Sequence, residues 1–94
     1  MINYFESGFL YSAENKIKRN LRKIFRAATS WRIRTGPRKR YVSYDELIKE
    51  EYLLPIDSVA GEDYGQITIE WSGLPVEIEV ITETGEVIKW EQRE

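Results

Sequence analysis

The chain has 94 residues and a net charge of −2, with three Trp, six Tyr and three Phe but neither Cys nor His. A chain of this length forms one domain with a thin core, which buries roughly 60–65% of the unfolded surface. The lack of Cys excludes disulfides and zinc–thiolate sites, and the lack of His removes the commonest general base at neutral pH. Because no glycine-rich phosphate loop or other catalytic arrangement is visible either, we expect no enzymatic activity and no cofactor.

The charged residues are divided into two blocks of opposite sign. Residues 1–40 contain eleven of the fourteen Lys and Arg but only two acids, so this basic block carries +9. Residues 41–94 contain fourteen acids and three bases, so this acidic block carries −11. Such a separation favours two blocks that neutralise each other within one molecule, or the base of one molecule meeting the acid of another. A third interpretation is that each block is simply solvated.

A long amphipathic helix is predicted over residues 1–35. Its apolar residues recur at steps of three and four, the spacing of one helix face. They are Leu10, Ala13, Ile17, Leu21, Ile24, Ala28 and Trp31. The basic residues that recur on the opposite side are Lys16, Arg19, Lys23 and Arg26. Gly36 and Pro37 end the segment, because proline cannot continue a helix.

Residues 36–66 are predicted to form a loop with one short helix at 44–51. The first part, Pro37 to Val42, is expected to be an extended basic connector. Ser43 and Glu46 have the spacing of a capping box, in which the two residues satisfy each other's free amides. Asp57, Glu62 and Asp63 later in the loop are weak calcium candidates. We favour solvated turn acids, because the three lack the fixed spacing of a calcium loop.

The segment 67–94 changes to the alternating pattern of half-buried strands. Three antiparallel strands are predicted, around Ile67 to Trp71, Val76 to Val80 and Ile88 to Trp90, with a hairpin turn at 83–85. Their apolar face needs a cover, and the long helix carries the matching apolar stripe. The expected fold class is α+β, with a long N-terminal helix packed on a small three-stranded antiparallel sheet. The expected core is Ile17, Leu21, Ile24, Ala28, Trp31, Leu47, Ile67, Ile69, Trp71, Ile78, Val80, Ile88 and Trp90.

Two other uses of the basic helix stay open. The bases of residues 16–40, with Trp31 and Tyr41 among them, could bind the phosphates of a nucleic acid in a sequence-independent way. The acidic block would repel a nucleic acid unless the two blocks lie on opposite sides. The helix could also lie on an anionic membrane. We favour a core role for its apolar stripe, because the strands have no other long element to cover them.

The order of these parts resembles type IV pilins and type II secretion pseudopilins. The segment 20–24 (NLRKI), followed by Ala27 and Ala28, is similar to the stalk helix of that family. Asn3, Tyr4 and Phe5 resemble the residues just beyond its membrane part, and 58–64 resembles the loop that leads into its sheet. The loop-helix pattern of the family is matched by Tyr41, Ser43, Glu46, Leu47, Tyr52 and Leu53. The resemblance covers nearly all 94 residues as one pilin-like domain.

This resemblance implies a structural subunit of a pilus or secretion pseudopilus that has other such subunits as partners. Pilins begin with a leader and an apolar membrane helix, so this chain is expected to be the soluble part of an anchored parent in the periplasm or at the cell surface. The charge blocks would then meet between neighbouring subunits. The expected contact residues are Arg19, Arg22, Arg26, Arg38 and Arg40 on one subunit and Glu70, Glu77 and Glu79 on the next. Binding of DNA is possible under this interpretation but not favoured.

Overall fold

The computed structural model describes the backbone of residues 2–36, 38–72 and 75–92, and the side chains of these ranges from residue 12 onward. The fold is α+β. Its elements are α1 (Ile2–Thr35), β1 (Tyr41–Ser43), α2 (Tyr44–Lys49), a 3-10 turn (Tyr64–Gln66), β2 (Thr68–Glu70), β3 (Val76–Ile81) and β4 (Val87–Gln92).

The predicted long helix is confirmed, and it runs along the longest axis of the molecule. At 1.5 Å per residue its 34 residues are about 51 Å long, which matches the longest extent of 53 Å. At its end the Gly36 amide donates to the Arg32 carbonyl at 2.9 Å, and Gly36 has a φ of +103°. This left-handed cap is one that glycine adopts without strain. Within the described residues, no helix combines the length and apolarity that crossing a bilayer requires.

The short helix α2 begins where the capping pattern places it. The Ser43 hydroxyl accepts from the Glu46 amide at 3.2 Å and donates to a Glu46 carboxylate oxygen at 3.3 Å. Asp45 and Glu46 lie in the first turn, where negative charge interacts favourably with the helix dipole. The helix ends at Lys49, two residues before the predicted end.

The predicted three-stranded sheet is wrong, because the described strands form two antiparallel sheets of two strands each. β1 pairs with β2, with Val42 opposite Ile69, and β3 pairs with β4, with Ile78 opposite Trp90. The difference arises because the end of the predicted basic connector is part of a strand, β1, and β1 pairs with the three-residue strand β2. β2 and β3 are neighbours in space, but they do not belong to one sheet.

One hydrophobic cluster joins α1 to the strands. Ile17, Leu21 and Ile24 are fully buried in it, together with Ile78 and Ile88 of the β3–β4 hairpin. The helix therefore covers the hairpin, as the apolar stripe predicts. Of the expected core residues, Trp71 and Trp90 are only half-buried at its margin, and the other eleven are buried. The buried hydrophobic residues outside the expected core are Ala13, Ala27, Val42, Tyr44, Leu53, Tyr64 and Val76, and Glu62 and Thr82 are buried polar residues.

Candidate functional site

The outward side of α1 is a row of exposed bases. Arg19, Arg22 and Arg26 are exposed, whereas Leu21 and Ile24 on the inward side are fully buried. Steps of three and four place the three arginines along one side of the helix. The local cause is the amphipathic pattern itself, since burying the apolar stripe against the strands turns the basic positions outward.

A groove runs between this row and strand β4. Its centre is Trp90, which is half-buried and lies with its ring centroid 4.9 Å from that of Phe25, at an interplanar angle of 46°. Two depressions of about 490 and about 390 Å³ adjoin here and share Arg22 and Trp90. We call them together the Trp90 groove. Its other lining residues are Asn15, Lys18, Arg19, Phe25, Arg26, Thr29, Ser30 and Gln92.

The Trp90 groove is positive with an aromatic wall. Lys18 forms an ion pair with Glu14 at 3.4 Å on the same helix. A second ion pair, Lys89 with Glu79 at 3.8 Å, lies on the hairpin. The exposed guanidinium groups of Arg19, Arg22 and Arg26 give this side of α1 a positive potential that an anionic group from outside the molecule can reach.

The two predicted contact residues Arg38 and Arg40 lie in a different depression from the other three. That depression has a volume of about 360 Å³ and is also lined by Trp31 and Tyr41. The Arg40 carbonyl accepts from the Trp71 amide at 2.8 Å, which ties the connector to the end of β2. The structure thus separates the five predicted arginines into two groups of three and two.

The predicted acidic contact residues are exposed on the strands. Glu77 and Glu79 alternate along β3 with buried Ile78 and Val80, so their side chains point away from the core and from α1. Ile81 continues this outward row and pairs across the hairpin with Val87. We call Glu77, Glu79 and Ile81, with the residues opposite them on β4 (Glu91, Lys89 and Val87), the hairpin face. Glu70 is likewise exposed, but on β2 in the other sheet.

Of the calcium candidates, Glu62 is buried, with 3% of its surface exposed. Its carboxylate accepts from the Ser58 hydroxyl at 3.0 Å, from the Val59 amide at 2.9 Å and from the Ala60 amide at 2.7 Å, and the Tyr64 hydroxyl also donates to it. Tyr64 in turn accepts from Asn20 Nδ2 on α1 at 2.9 Å. The hydrogen bonds from Asn20 to Tyr64 and from Tyr64 to Glu62 therefore connect the loop to the helix.

This arrangement shifts the pKa of both titratable groups. Burial by itself would raise the pKa of Glu62, but hydrogen bonds from Tyr64, Ala60 and Val59 outweigh it, so that the pKa lies below its usual value. Burial is also the main reason why the pKa of Tyr64 is raised, and its hydrogen bond to the Glu62 carboxylate adds to the effect. At neutral pH the pair is thus a carboxylate and a neutral phenol.

The other two calcium candidates, Asp57 and Asp63, are exposed and do not share the hydrogen bonds of Glu62. Asp63 caps the 3-10 turn, accepting from the Gly65 amide at 2.9 Å, and Asp57 is exposed beside a depression lined by Leu54 and Pro55. No group of three carboxylates that could hold a metal ion occurs in the described ranges. The carboxylate oxygens of Glu62 accept hydrogen bonds from groups of the loop itself.

Sequence reasoning missed two features of these sites. It assigned Trp90 to the core and so did not predict a groove beside the arginines. It also missed Asn20, although a signal was present: Asn20 is a polar residue at apolar-stripe spacing from Ile17 and Ile24. A polar side chain on a buried helix face needs a partner, which here is Tyr64.

Comparison of the chain with protein-family models, with curated proteins and with solved structures gives no match.

Proposed function

We propose that this chain is a non-enzymatic structural subunit of a pilin- or pseudopilin-like filament, which associates with further copies through contacts between opposite charges. The observation that carries the proposal is the placement of the two charge blocks. The bases of α1 face away from the strands, and the acids of the hairpin face away from α1. A molecule with opposite charges on opposite sides attracts its own copies head to tail.

The ion pairs support association between molecules over neutralisation within one molecule. In the part of the chain that the structure describes, Lys18 pairs with Glu14 inside the basic block, and Lys89 pairs with Glu79 inside the acidic block. Neither of the two described pairs joins one block to the other. The arginines of α1 and Glu77 are exposed, and the Glu79 side chain is 54% exposed beside Lys89, so a neighbouring molecule can reach the charges on each face.

The long helix on a small β region is also what a filament subunit of this type requires. We extend the proposal to an anchored parent protein in the periplasm or at the cell surface, with a membrane helix preceding these residues. A gene that encodes a leader and about twenty apolar residues before Ile2 supports this extension. A gene without them contradicts it.

Self-association is tested by sedimentation velocity over a range of protein concentrations. We expect the mean mass to rise with concentration at about 20 mM salt and to fall again at about 500 mM, because salt screens exposed charges. A protein that stays monomeric at the lowest salt and at millimolar concentration contradicts the proposal. Tethering the chain to vesicles through its N-terminus extends the test to the high local concentration of an anchored subunit.

A small nucleic-acid-binding domain is the second candidate. It is favoured by one observation: the exposed arginines flank Trp90, on which a base could stack, while the acids point to the other side. Fluorescence anisotropy with a single-stranded oligonucleotide tests it. Binding at low salt that weakens steeply with added salt supports this function, and no binding at low salt excludes it.

A further inference from the structure

The Trp90 groove and the hairpin face are opposite in charge, and each has an apolar part. The groove is concave, and its Arg22 and Arg26 stand beside the rings of Phe25 and Trp90. The hairpin face is the outward surface of a two-stranded ribbon, on which the carboxylates of Glu77 and Glu79 precede an apolar pair. Lys89 lies opposite Glu79 and forms an ion pair with it at 3.8 Å, in which the Glu79 side chain stays 54% exposed. In that pair Ile81 is 58% exposed and Val87 is 48% exposed. An apolar centre with charged residues around it is the arrangement that protein interfaces have.

We propose that the Trp90 groove of one copy receives the hairpin face of a second copy of this chain. In this contact Ile81 and Val87 pack against the aromatic wall, and Glu77 and Glu79 meet the guanidinium groups. Arginine suits this role because its planar group binds carboxylates through two hydrogen bonds and stacks on aromatic rings. The inference rests on the proposed self-association and names its two surfaces.

The contact has to form between two molecules. Ile78 and Val80 of β3 point into the core that α1 covers, so that the alternate residues of the strand point away from the helix. The groove lies beside α1 itself. A chain therefore cannot bring its own hairpin face to its own groove, and each copy offers one of each surface to its neighbours. Such a heterologous contact continues from copy to copy instead of closing into a symmetric pair.

The hairpin face is held in shape before it binds. The Glu83 amide in the turn donates to the Ala60 carbonyl at 2.9 Å, and the Thr82 amide donates to the Glu86 carbonyl at 2.8 Å. The Glu83 side chain also lies directly against Gly61, whose φ is +79°. The turn is thereby fixed to the loop that Glu62 fastens to α1. A preformed surface loses less conformational entropy on binding.

Two variants that each lack one surface test the contact. In the groove variant Arg22→Glu and Arg26→Glu are combined, and in the face variant Glu77→Lys and Ile81→Lys are combined. Arg22 and Arg26 line the groove, and Glu77 and Ile81 lie outside it. All four side chains are exposed. The matched controls are Arg34→Glu on α1 and Asp45→Lys on α2, which are exposed positions outside both surfaces. Circular dichroism establishes that each variant folds.

The readout is the mass in sedimentation velocity at low salt. We expect each double variant alone to be monomeric, with self-association at least about tenfold weaker than that of the unmodified chain. An equimolar mixture of the two double variants is expected to form a dimer and nothing larger. The intact groove of the face variant then binds the intact hairpin face of the groove variant, and no further pair of intact surfaces remains. The two controls are expected to associate as the unmodified chain does.

Other results separate failure of this contact from failure of the proposed function. If both double variants associate as the unmodified chain does, the contact is wrong and the proposed self-association stands. A mixture that stays monomeric also overturns the contact. If the mixture stays monomeric and the groove variant loses binding of a single-stranded oligonucleotide, the occupant of the groove is a nucleic acid. An unmodified chain that does not associate contradicts the proposed function, and this contact with it.

Discussion

Glu62 is the residue that orders the loop between α2 and β2. Its carboxylate accepts hydrogen bonds from four groups, among them the Val59 and Ala60 amides and the Tyr64 hydroxyl. Amides of an irregular segment lack the partners that a helix or a sheet would give them, and an ionised acceptor binds them strongly. A single buried side chain thus replaces regular structure in this part of the chain.

We expect Glu62→Gln to lower the free energy of unfolding by about 1–3 kcal/mol, because its amide nitrogen places a donor against backbone donors. Urea unfolding at neutral pH measures the loss. Glu86→Gln is the matched control, since Glu86 is exposed, and it is expected to change stability by less than about 0.5 kcal/mol. Equal effects of the two substitutions would show that the carboxylate of Glu62 does not hold the loop.

The same carboxylate makes stability depend on pH. Because the pKa of Glu62 is lowered in the folded state, the unfolded state binds more protons, and stability falls as the pH decreases. The contribution of Glu62 is complete above its unfolded pKa of about 4.3 and is lost as the pH falls through the lower folded value. We therefore expect the stability difference between the unmodified chain and Glu62→Gln to shrink below about pH 4. A difference that stays constant in urea unfolding from neutral to acid pH would contradict this.

The sequence marks Glu62 as a noteworthy acid in the loop, but it does not predict that its carboxylate is buried and holds the loop together. An acid in a loop that also contains Gly61 and Gly65 has the composition of a solvated turn, and the sequence by itself favours that interpretation. The burial of Glu62 depends on Tyr64, which is two residues away, and on Asn20, which lies on another element. Local spacing contains no information about the second of these contacts.

At the scale of elements, α1 derives its position from its apolar stripe. Leu21 is fully buried at the middle of that stripe, and we expect Leu21→Ala to lower the free energy of unfolding by about 2–5 kcal/mol. Ile33→Ala is the control on the same helix, because Ile33 is 79% exposed. Urea unfolding of the two variants should differ by most of this amount. A small effect at Leu21 would be incompatible with the helix as the cover of the strands.

The helix α2 depends on its cap. Ser43→Ala removes the oxygen that accepts from the Glu46 amide, and we expect a loss of about 1 kcal/mol in urea unfolding. Ser43→Asp retains an acceptor at the same place and should stay close to the unmodified chain. If the Asp variant is as unstable as the Ala variant, the cap is not the source of the loss.

The elements that could be predicted from the sequence are those with a long local pattern. The 3.6-residue period gives α1, and the capping box gives the start of α2. β1 could not be predicted in this way, because its three residues are too few to display alternation. Its partner Ile69 is also far along the chain from Val42. Without β1, the strand at Ile69 could only be assigned to the hairpin that follows it, and this produced the three-stranded sheet.

At the scale of the whole molecule, like charges are concentrated on each side. Arg19, Arg22 and Arg26 repel one another along α1, as do Glu77 and the other acids of the strands. We therefore expect added sodium chloride at about 0.1–0.3 M to stabilise the dilute monomer, since screening weakens repulsion at these separations. Urea unfolding at several salt concentrations measures the effect. Arg22→Gln relieves part of the repulsion and should reduce the response, and a monomer destabilised by salt would contradict the prediction.

The composition of the two blocks predicts that an electrostatic asymmetry exists, but it does not predict where the charges lie. The same sequence counts would fit two halves that neutralise each other. The positions of the charges follow from packing, because α1 and the inward residues Ile78 and Val80 share one core, which turns the bases and the acids in opposite directions. The Trp90 groove depends on the same packing, which brings Phe25 of α1 against β4.

The alignment of α1 with the 53 Å axis has a mechanical consequence. Its contacts with the core extend from Ala13 to Trp31, so they are distributed along the direction of the helix. Tension applied to one end of α1 along that direction would load these contacts together in shear. The strands would then move with the helix as one body, because the contacts would resist together and not break one after another.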